Sequence, residues 1–344
     1  VCNTPIKLAV IGLGMASKPH LAALKLLADQ IEVVGLYSRS ESRRAAMAAE
    51  TGWPAFDSLQ AVANSDAQVV IVITPPNARA ELVQTLGAAG KAILMEKPVE
   101  RDLARAKALV ETCEGFGVPL GIVLQHRYRA GAEALADLMA SGRAGKVLMA
   151  RVSLPWWRDQ GYYDTPGRGT LDMDGGGVLI TQAIHVLDLM LSLAGPVAEV
   201  MALTGKTPLH QMETEDFAAA GLRFENGAVG SVVATTAAYP GGAETLELEC
   251  THVALKLEAG ALTLHWRNGQ TETVGEVTGT GGGGDPMDFP CDWHRDLITD
   301  FAARVQAGQA PRVSGRDALR VHRLIDAIER SARTRAIAQV EAEA

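Results

Sequence analysis

Three stretches of this chain carry residue types that could do chemistry together. Glu96-Lys97-Pro98 follows the short apolar run Ile93-Leu94-Met95. A lysine in that place is either a solvated strand-end charge or a working amine at the mouth of a cleft. Gly12-Leu13-Gly14-Met15-Ala16-Ser17 has the spacing of a Gly-x-Gly-x-x-Gly turn, with Ser17 in the third glycine place. Gly12 would allow the tight turn, and Gly14 would let a pyrophosphate approach the backbone at a helix N-terminus. Thr181, His185, Asp188 and Ser192 fall at helical spacing behind Gly175-Gly176-Gly177 and form one polar stripe. Taken alone, that stripe is the solvated face of an amphipathic helix. Beside a lysine, its histidine is a second group able to hold or move a proton.

Strands and helices must hold these residues. Ile6–Ile11 reads as a buried strand running into the glycine turn, and Leu21, Leu24 and Ala28 mark the helix after it. Ile31–Tyr37 is a second strand and ends in Ser38-Arg39-Ser40, where an acidic residue would hold the 2′-hydroxyl of NAD. Ser38 and Arg39 suit a 2′-phosphate, so NADP is favoured over NAD; Arg39 could equally begin the helix containing Arg43 and Arg44. A helix is expected through Ala45–Glu50. Val69–Ile73 then leads to Thr74-Pro75-Pro76-Asn77, a rigid loop over the same crevice. A helix around Ala80–Leu86, the Ile93–Met95 strand, a helix over Asp102–Cys113 and a strand over Leu120–Leu124 complete the unit near Gln125. Ile93–Met95 is apolar throughout, as in a strand buried on both faces of a parallel sheet. Three strand ends, at Gly12, Thr74 and Glu96, meet on one edge, and the carboxyl edge is where such sheets bind ligands. Cofactor contacts are expected from Gly12, Gly14, Met15, Ala16, Ser38, Arg39, Thr74, Pro75, Asn77, Glu96, Lys97 and Gln125.

Beyond residue 125 the pattern changes. Lys146–Leu154, Val197–Leu203, Phe217–Phe224, Ala228–Thr235, Leu246–Cys250, Val253–Leu257, Ala261–Trp266 and Thr271–Val274 read as strands. Asn226-Gly227 and Asn268-Gly269 are hairpin signals, so the second sheet is mostly antiparallel. Gly279 to Gly284, with five glycines in six residues, reads as a mobile loop. Helices around Trp293–Gln306 and Gly315–Arg333 finish the chain. The organisation is an α/β Rossmann dinucleotide-binding domain over residues 1–125, then an α+β substrate-binding and oligomerisation domain over residues 126–344 with a large, mostly antiparallel open sheet. Trp156-Trp157-Arg158, Tyr162-Tyr163 and Arg168 precede the triple glycine. Trp157, Arg158, Tyr163 and Arg168 are candidates for the wall around a polar, ring-shaped substrate.

A net charge of -8 argues against nucleic acid, and no apolar run reaches the ~18 residues of a membrane span. The first strand begins by Ile6, leaving no room for a signal peptide, and the four cysteines (Cys2, Cys113, Cys250, Cys291) show neither pairing motifs nor metal-ligand spacing. A reduced, cytoplasmic setting fits. Asp172, Asp174, His185 and Asp188 lie close in sequence but match no metal-ligand pattern, so no metal is expected.

The combination of Gly12-Leu13-Gly14, Thr74-Pro75, Glu96-Lys97-Pro98, the triple glycine leading to His185 and Asp188, Trp293-His294 with Asp300-Phe301, and Ala327 with Ser331 resembles the glucose–fructose oxidoreductase / inositol dehydrogenase / rhizopine-catabolism (Gfo/Idh/MocA) family. The resemblance spans nearly the whole chain. It implies an NAD(P)-dependent dehydrogenase acting on a sugar, cyclic polyol or nucleotide-sugar, with Lys97 as catalytic lysine and His185 its partner at the reacting hydroxyl. Thr181 completes the catalytic set; Thr181, Gln182 and His185 would meet the substrate, and a homodimer or homotetramer is implied. The chain departs from the family pattern at Thr181, where many members carry aspartate, and at Arg79, where a histidine is common. Two other readings stay open: a non-catalytic NAD(P)-binding sensor, and a glycosidase that uses transient redox by a tightly held cofactor.

Overall fold

A computed structural model of the chain describes residues 5–277 and 290–342. The glycine-rich stretch Gly279 to Gly284, and Cys2, lie outside the described residues. Five apolar runs form the first sheet: β1 (Ile6–Ile11), β2 (Ile31–Tyr37), β3 (Val69–Val72), β4 (Ala92–Glu96) and β5 (Leu120–Val123). All four pairings are parallel, in the order β2-β1-β3-β4-β5. Leu8, Ile71, Ile93 and Met95 are fully buried, each worth about 1.5–3 kcal/mol relative to exposure. Strand order reverses at β1, whose neighbours are β2 and β3, and the crevice at such a switch point is the place for a dinucleotide.

The helix after β2 runs Glu41–Thr51, longer than its apolar pattern indicates. It starts where Ser40 Oγ accepts a hydrogen bond from Arg43 N and stops at Gly52, which adopts φ 76°. Arg43 and Arg44 are therefore helical and Arg39 is not.

Two compact units form, and the division is not a single cut at residue 125. The first draws on the described residues of Val1–Glu100, Ala104–Leu124 and Pro290–Leu319; the second on those of Arg101–Leu103, Gln125–Phe289 and Arg320–Ala344. The helix Asp292–Gln306 buries Leu297, Ile298 and Phe301 and packs on the helix Ser17–Leu26 and on β4 and β5. Phe301 lies over Gly121, where a Cβ would stand 2.6 Å from the ring. Ile122 N donates to Val313 O at 3.0 Å, so the segment before the last helix covers the edge of the sheet at β5.

The second unit is built on β6 (Val147–Pro155), β7 (Val197–Gly205), β8 (Phe217–Phe224), β9 (Val229–Thr235), β10 (Thr245–Cys250), β11 (Val253–Glu258), β12 (Ala261–Trp266), β13 (Thr271–Val274) and the two-residue β14 (Ala338–Gln339). Their order is β13-β12-β11-β10-β6-β9-β8-β7-β14. Neighbours are antiparallel except β6 and β9, which pair in parallel. Gly227 (φ 87°) and Gly269 (φ 91°) make the hairpin turns at the two Asn-Gly sites. The helix Ile184–Ala194 covers β6 and β10. On the other face of the sheet, Met201, Leu203, Val229 and Val233 are exposed. A helix at Ala130–Ala140, with Leu135 and Leu138 buried, precedes the sheet. Among the described residues no helix is long and apolar enough to cross a membrane.

Candidate functional site

In the first unit the glycine turn is shaped by its neighbours. Gly12 has φ +100°, and a Cβ there would lie 2.7 Å from Ile73 C and 2.9 Å from Thr74 N. Only glycine lets the ends of β1 and β3 come this close. Gly14 is exposed with open space around it, and Ser17, in the third glycine place, is buried with its Oγ donating to Gly14 O at 2.7 Å. Met15 is exposed, and Ala16 stands directly before the helix Ser17–Leu26. At the end of β2, Ser38 O accepts from Arg44 Nη1 at 2.6 Å, Arg44 lies over the Tyr37 ring at 5.9 Å, and Arg39 is exposed. Thr74 Oγ1, at the end of β3, is buried without a hydrogen-bond partner. Pro75 is exposed, and Asn77 sits in the short turn Pro76–Ala78. This cradle fits a dinucleotide: an open glycine backbone at a helix N-terminus, an orphaned hydroxyl, and arginines beside the place of the ribose.

Lys97 is held in place by a residue the sequence left without a role. Arg79 is buried, and its guanidinium donates to Thr74 O at 2.7 and 3.0 Å and to Glu96 O at 2.6 Å. It also donates to the carbonyls of Pro98 and Val99. The loop after β3 and the backbone around Lys97 are thus tied to one cation. Burial pulls the Arg79 pKa down to about 10, against Glu96 and Glu100, and the group stays charged at neutral pH. The Glu96 carboxylate accepts from His20 Nε2 at 2.8 Å and from Lys97 N at 3.0 Å. Burial raises its pKa, but His20, His294 and Lys97 together hold it below the ordinary value. The His294 ring meets His20 edge-on at 4.7 Å, and burial pushes its pKa down to about 3, so it is neutral.

In the second unit the triple glycine lets other groups approach. A Cβ on Gly177 would stand 1.8 Å from Glu215 O, and one on Gly175 (φ +83°) 2.5 Å from Arg101 Cα. The Glu215 carboxylate accepts from Gly177 N at 2.9 Å and Leu179 N at 3.1 Å, capping the segment at its start. One π-helical turn, Leu179–Ala183, then leads into the helix Ile184–Ala194. Thr181 Oγ1 donates to Gly177 O at 2.6 Å and also engages Gln182 Oε1. The polar stripe is not a solvated face: His185 and Asp188 are buried, and of its four members Ser192 is the exposed one. His185 stacks on His126 at 4.6 Å. Asp188 takes a two-pronged bond from Arg127. Asp172 pairs with Arg101 at 3.0 Å, and Asp174 accepts from Gly169 N at 2.8 Å. Gln125 belongs to this unit and is buried, with Oε1 lacking a hydrogen-bond partner.

The aromatic loop divides between surface and core. Tyr163 turns inward and its hydroxyl meets Thr236 Oγ1 at 2.6 Å. Tyr162, and not only its candidate neighbour Tyr163, faces the arginines: it carries the guanidinium groups of Arg158 at 5.6 Å and Arg168 at 5.3 Å over its ring. Its hydroxyl is 3.5 Å from Gln182 Nε2. Arg158 is buried and also lies over Trp156. Trp157 packs edge-on against Tyr239 at 5.2 Å. Two tyrosines side by side in a helical turn point to different places, and no local pattern distinguishes them.

Residues 6–123 match an oxidoreductase family with an NAD-binding Rossmann fold, and residues 132–256 match the GFO/IDH/MocA C-terminal domain. A D-apiose dehydrogenase from Paraburkholderia graminis is 27% identical over 98% of this chain and 91% of its own length. A D-xylose 1-dehydrogenase (NADP(+)) from Haloferax volcanii is 29% identical over 95% of this chain and 97% of its own. The WlbA dehydrogenase from Bordetella pertussis, solved in complex with NADH and UDP-GlcNAcA, has a TM-score of 0.84 at 27% identity, covering 99% of this chain and 100% of that one. With a Rossmann unit matched in its first third and a dedicated C-terminal domain behind it, the chain belongs to the Gfo/Idh/MocA family of NAD(P)-dependent oxidoreductases.

Proposed function

We propose that this enzyme interconverts a secondary alcohol and a ketone, or a hemiacetal and a lactone, on a sugar, cyclic polyol or nucleotide-sugar, with NADP favoured over NAD. The observation that carries the proposal is the Arg79 clamp. It fixes the backbone around Lys97 at the carboxyl end of β4, next to the β3 loop and one strand from the glycine turn. The nicotinamide, when bound, supplies the hydride acceptor or donor. Gly12, Gly14, Met15 and Ala16 would hold the pyrophosphate, Ser38 and Arg39 the 2′-phosphate, and Thr74, Asn77, Glu96 and Gln125 the remainder. Lys97 holds the substrate hydroxyl and exchanges its proton; as an ammonium it polarises and protonates the carbonyl in the reverse direction. His185 orients that hydroxyl or shares its proton, and Thr181, Gln182, Trp157, Arg158 and Arg168 contact the substrate. The sugar dehydrogenases among the relatives support the substrate class, and the NADP(+) in one of their names supports the cofactor. Thr181 brings no carboxylate, and Asp188 takes two bonds from Arg127, so Lys97 and His185 are the residues assigned the proton.

A screen of sugars, polyols and nucleotide-sugars with NADP and NAD, read by absorbance of the reduced cofactor, tests this. Turnover with net NADPH change supports the dehydrogenase. Cofactor binding without turnover leaves a sensor, and glycoside cleavage without net cofactor change leaves a hydrolase with a closed redox cycle. Turnover with NAD alone overturns the reading of Ser38 and Arg39. The apolar residues Met201, Leu203, Val229 and Val233 on one sheet face support a homodimer or homotetramer closed through that face, which sedimentation would measure.

A further inference from the structure

His210, in the connection between β7 and β8, has an acceptor at each ring nitrogen. Nδ1 lies 2.7 Å from Asp216 Oδ2, and Nε2 lies 2.9 Å from the backbone carbonyl of Arg158. A carboxylate and a carbonyl only accept, whereas a neutral imidazole has a single N–H to give. With Asp216 as a carboxylate, both bonds are made at once only by the imidazolium. The side chains of His210 and Asp216 are both fully buried, so a charge on one calls for the opposite charge on the other. Asp216 Oδ1 accepts from Thr207 N at 2.7 Å and its Oδ2 from Thr207 Oγ1 at 2.6 Å, the acceptor-only pattern of a carboxylate.

The carbonyl that His210 holds belongs to the loop carrying Trp157 and Arg158. Arg158 N donates to Thr236 O at 2.9 Å, and Thr236 N donates to Asp216 O at 3.0 Å. The Tyr163 ring meets His210 at 4.8 Å and the Trp157 ring at 6.4 Å. Among the described residues, the titratable and charged groups bonded to or in ring contact with the imidazole are Asp216, directly before β8, Tyr163 from the helical turn Gln160–Tyr163, and Arg158, which offers its carbonyl.

We propose that His210 is a positioning residue: held as an imidazolium by buried Asp216, it clamps the Arg158 carbonyl and fixes the Trp157–Arg158 segment against the substrate. The assignment to substrate rests on the reading of that loop given under the proposed function; the protonation state does not. Loss of the proton leaves one ring nitrogen with a lone pair facing an acceptor, and the loop is released. Substrate affinity then falls with rising pH while cofactor affinity holds.

Nitrogen-15 NMR of histidine-labelled protein tests the charge directly, with His210 assigned by the resonance lost in His210→Asn. Two N–H ring nitrogens at neutral pH are expected; one lone-pair-bearing nitrogen there overturns the proposal, whether or not any sugar is turned over. In wild-type protein, KM for the sugar should rise by about tenfold or more over the pH range in which the second N–H disappears, with Kd for NADPH unchanged. A KM that ignores this transition also overturns it. Asp216→Asn removes the counter-charge and lets a neutral ring bond both neighbours, so the pH limb on KM should vanish. If that variant fails to fold, the wild-type spectrum and KM profile decide.

Discussion

Arg127 meets Asp188 through two parallel bonds, Nε to Oδ2 at 2.7 Å and Nη2 to Oδ1 at 2.6 Å. The pair joins the turn Gln125–Tyr128 to the helix Ile184–Ala194, the same two elements whose His126 and His185 rings stack. Behind His126, Arg129 Nη2 lies 2.7 Å from its Nε2 and Arg129 Nη1 bonds Glu244 Oε1 at 2.5 Å. The orientation of His185 is thus set by a layer of charged groups reaching back from the helix.

Asp188→Asn keeps the shape of this pair but removes the carboxylate charge that faces Arg127. Breaking one side of a buried pair costs roughly 3–5 kcal/mol, and a loss of about 3 kcal/mol is expected in urea unfolding. An unfolding free energy within about 0.5 kcal/mol of wild type would show that the pair does not organise this region.

Arg79→Lys should be as harmful as a truncation. An ammonium cannot serve carbonyls on two strand ends in the plane of a guanidinium, and buried acceptors left unmet cost about 1–3 kcal/mol each. A drop of about 3 kcal/mol or more in stability is expected, with weaker cofactor binding by fluorescence titration. A lysine variant with wild-type stability would remove the clamp from the account.

Lys97→Met should lower kcat by about 100-fold or more, the scale of a lost general acid–base group, while Kd for NADPH stays within about threefold. Stopped-flow measurement with saturating substrate separates the two effects. Full turnover in this variant would sink the lysine assignment.

Arg39→Ala should weaken NADP binding by about 10- to 100-fold, the value of one charge-assisted bond. NAD binding should change little. Equal losses for both cofactors would place Arg39 on the adenine rather than on a 2′-phosphate.

Glu329→Gln addresses pH. Burial first, then Glu215 and Asp326 against Arg333, push the Glu329 carboxyl from 4.5 up to about 8. The folded state then holds this proton more tightly than the unfolded chain. Stability from this group is complete below about 4.5 and is lost as pH rises to about 8. The glutamine variant should lack that slope and be more stable than wild type above the upper limit, by on the order of 2 kcal/mol. Parallel pH–stability curves for the two proteins would count against it.

Much of the first unit could be read without coordinates because its signals are local. Ile93-Leu94-Met95 is apolar throughout since both faces of β4 are covered, and Gly12 is glycine because β3 leaves no room for a Cβ. The hairpins at Gly227 and Gly269 are legible for the same reason. What escaped was tertiary. An apolar stripe on Asp292–Gln306 says that the helix packs, not that it packs on β4 and β5. Arg79 has no pattern of its own, because its partners are carbonyls gathered from two strand ends. The spacing from Thr181 to His185 assumed a regular α-helix, whereas a π-turn intervenes and both sides of the following helix are buried.

The membership of Pro290–Leu319 in the first unit bears on how the chain is made. Synthesis runs from the N-terminus, so β1 to β5 leave the ribosome well before Phe301 exists to cover Gly121 or His294 to meet His20. All but the last strand of the second sheet is translated in between. The unit that begins first is completed late, and a nascent chain stalled before Pro290 would present a cofactor fold with one side of its core open to water.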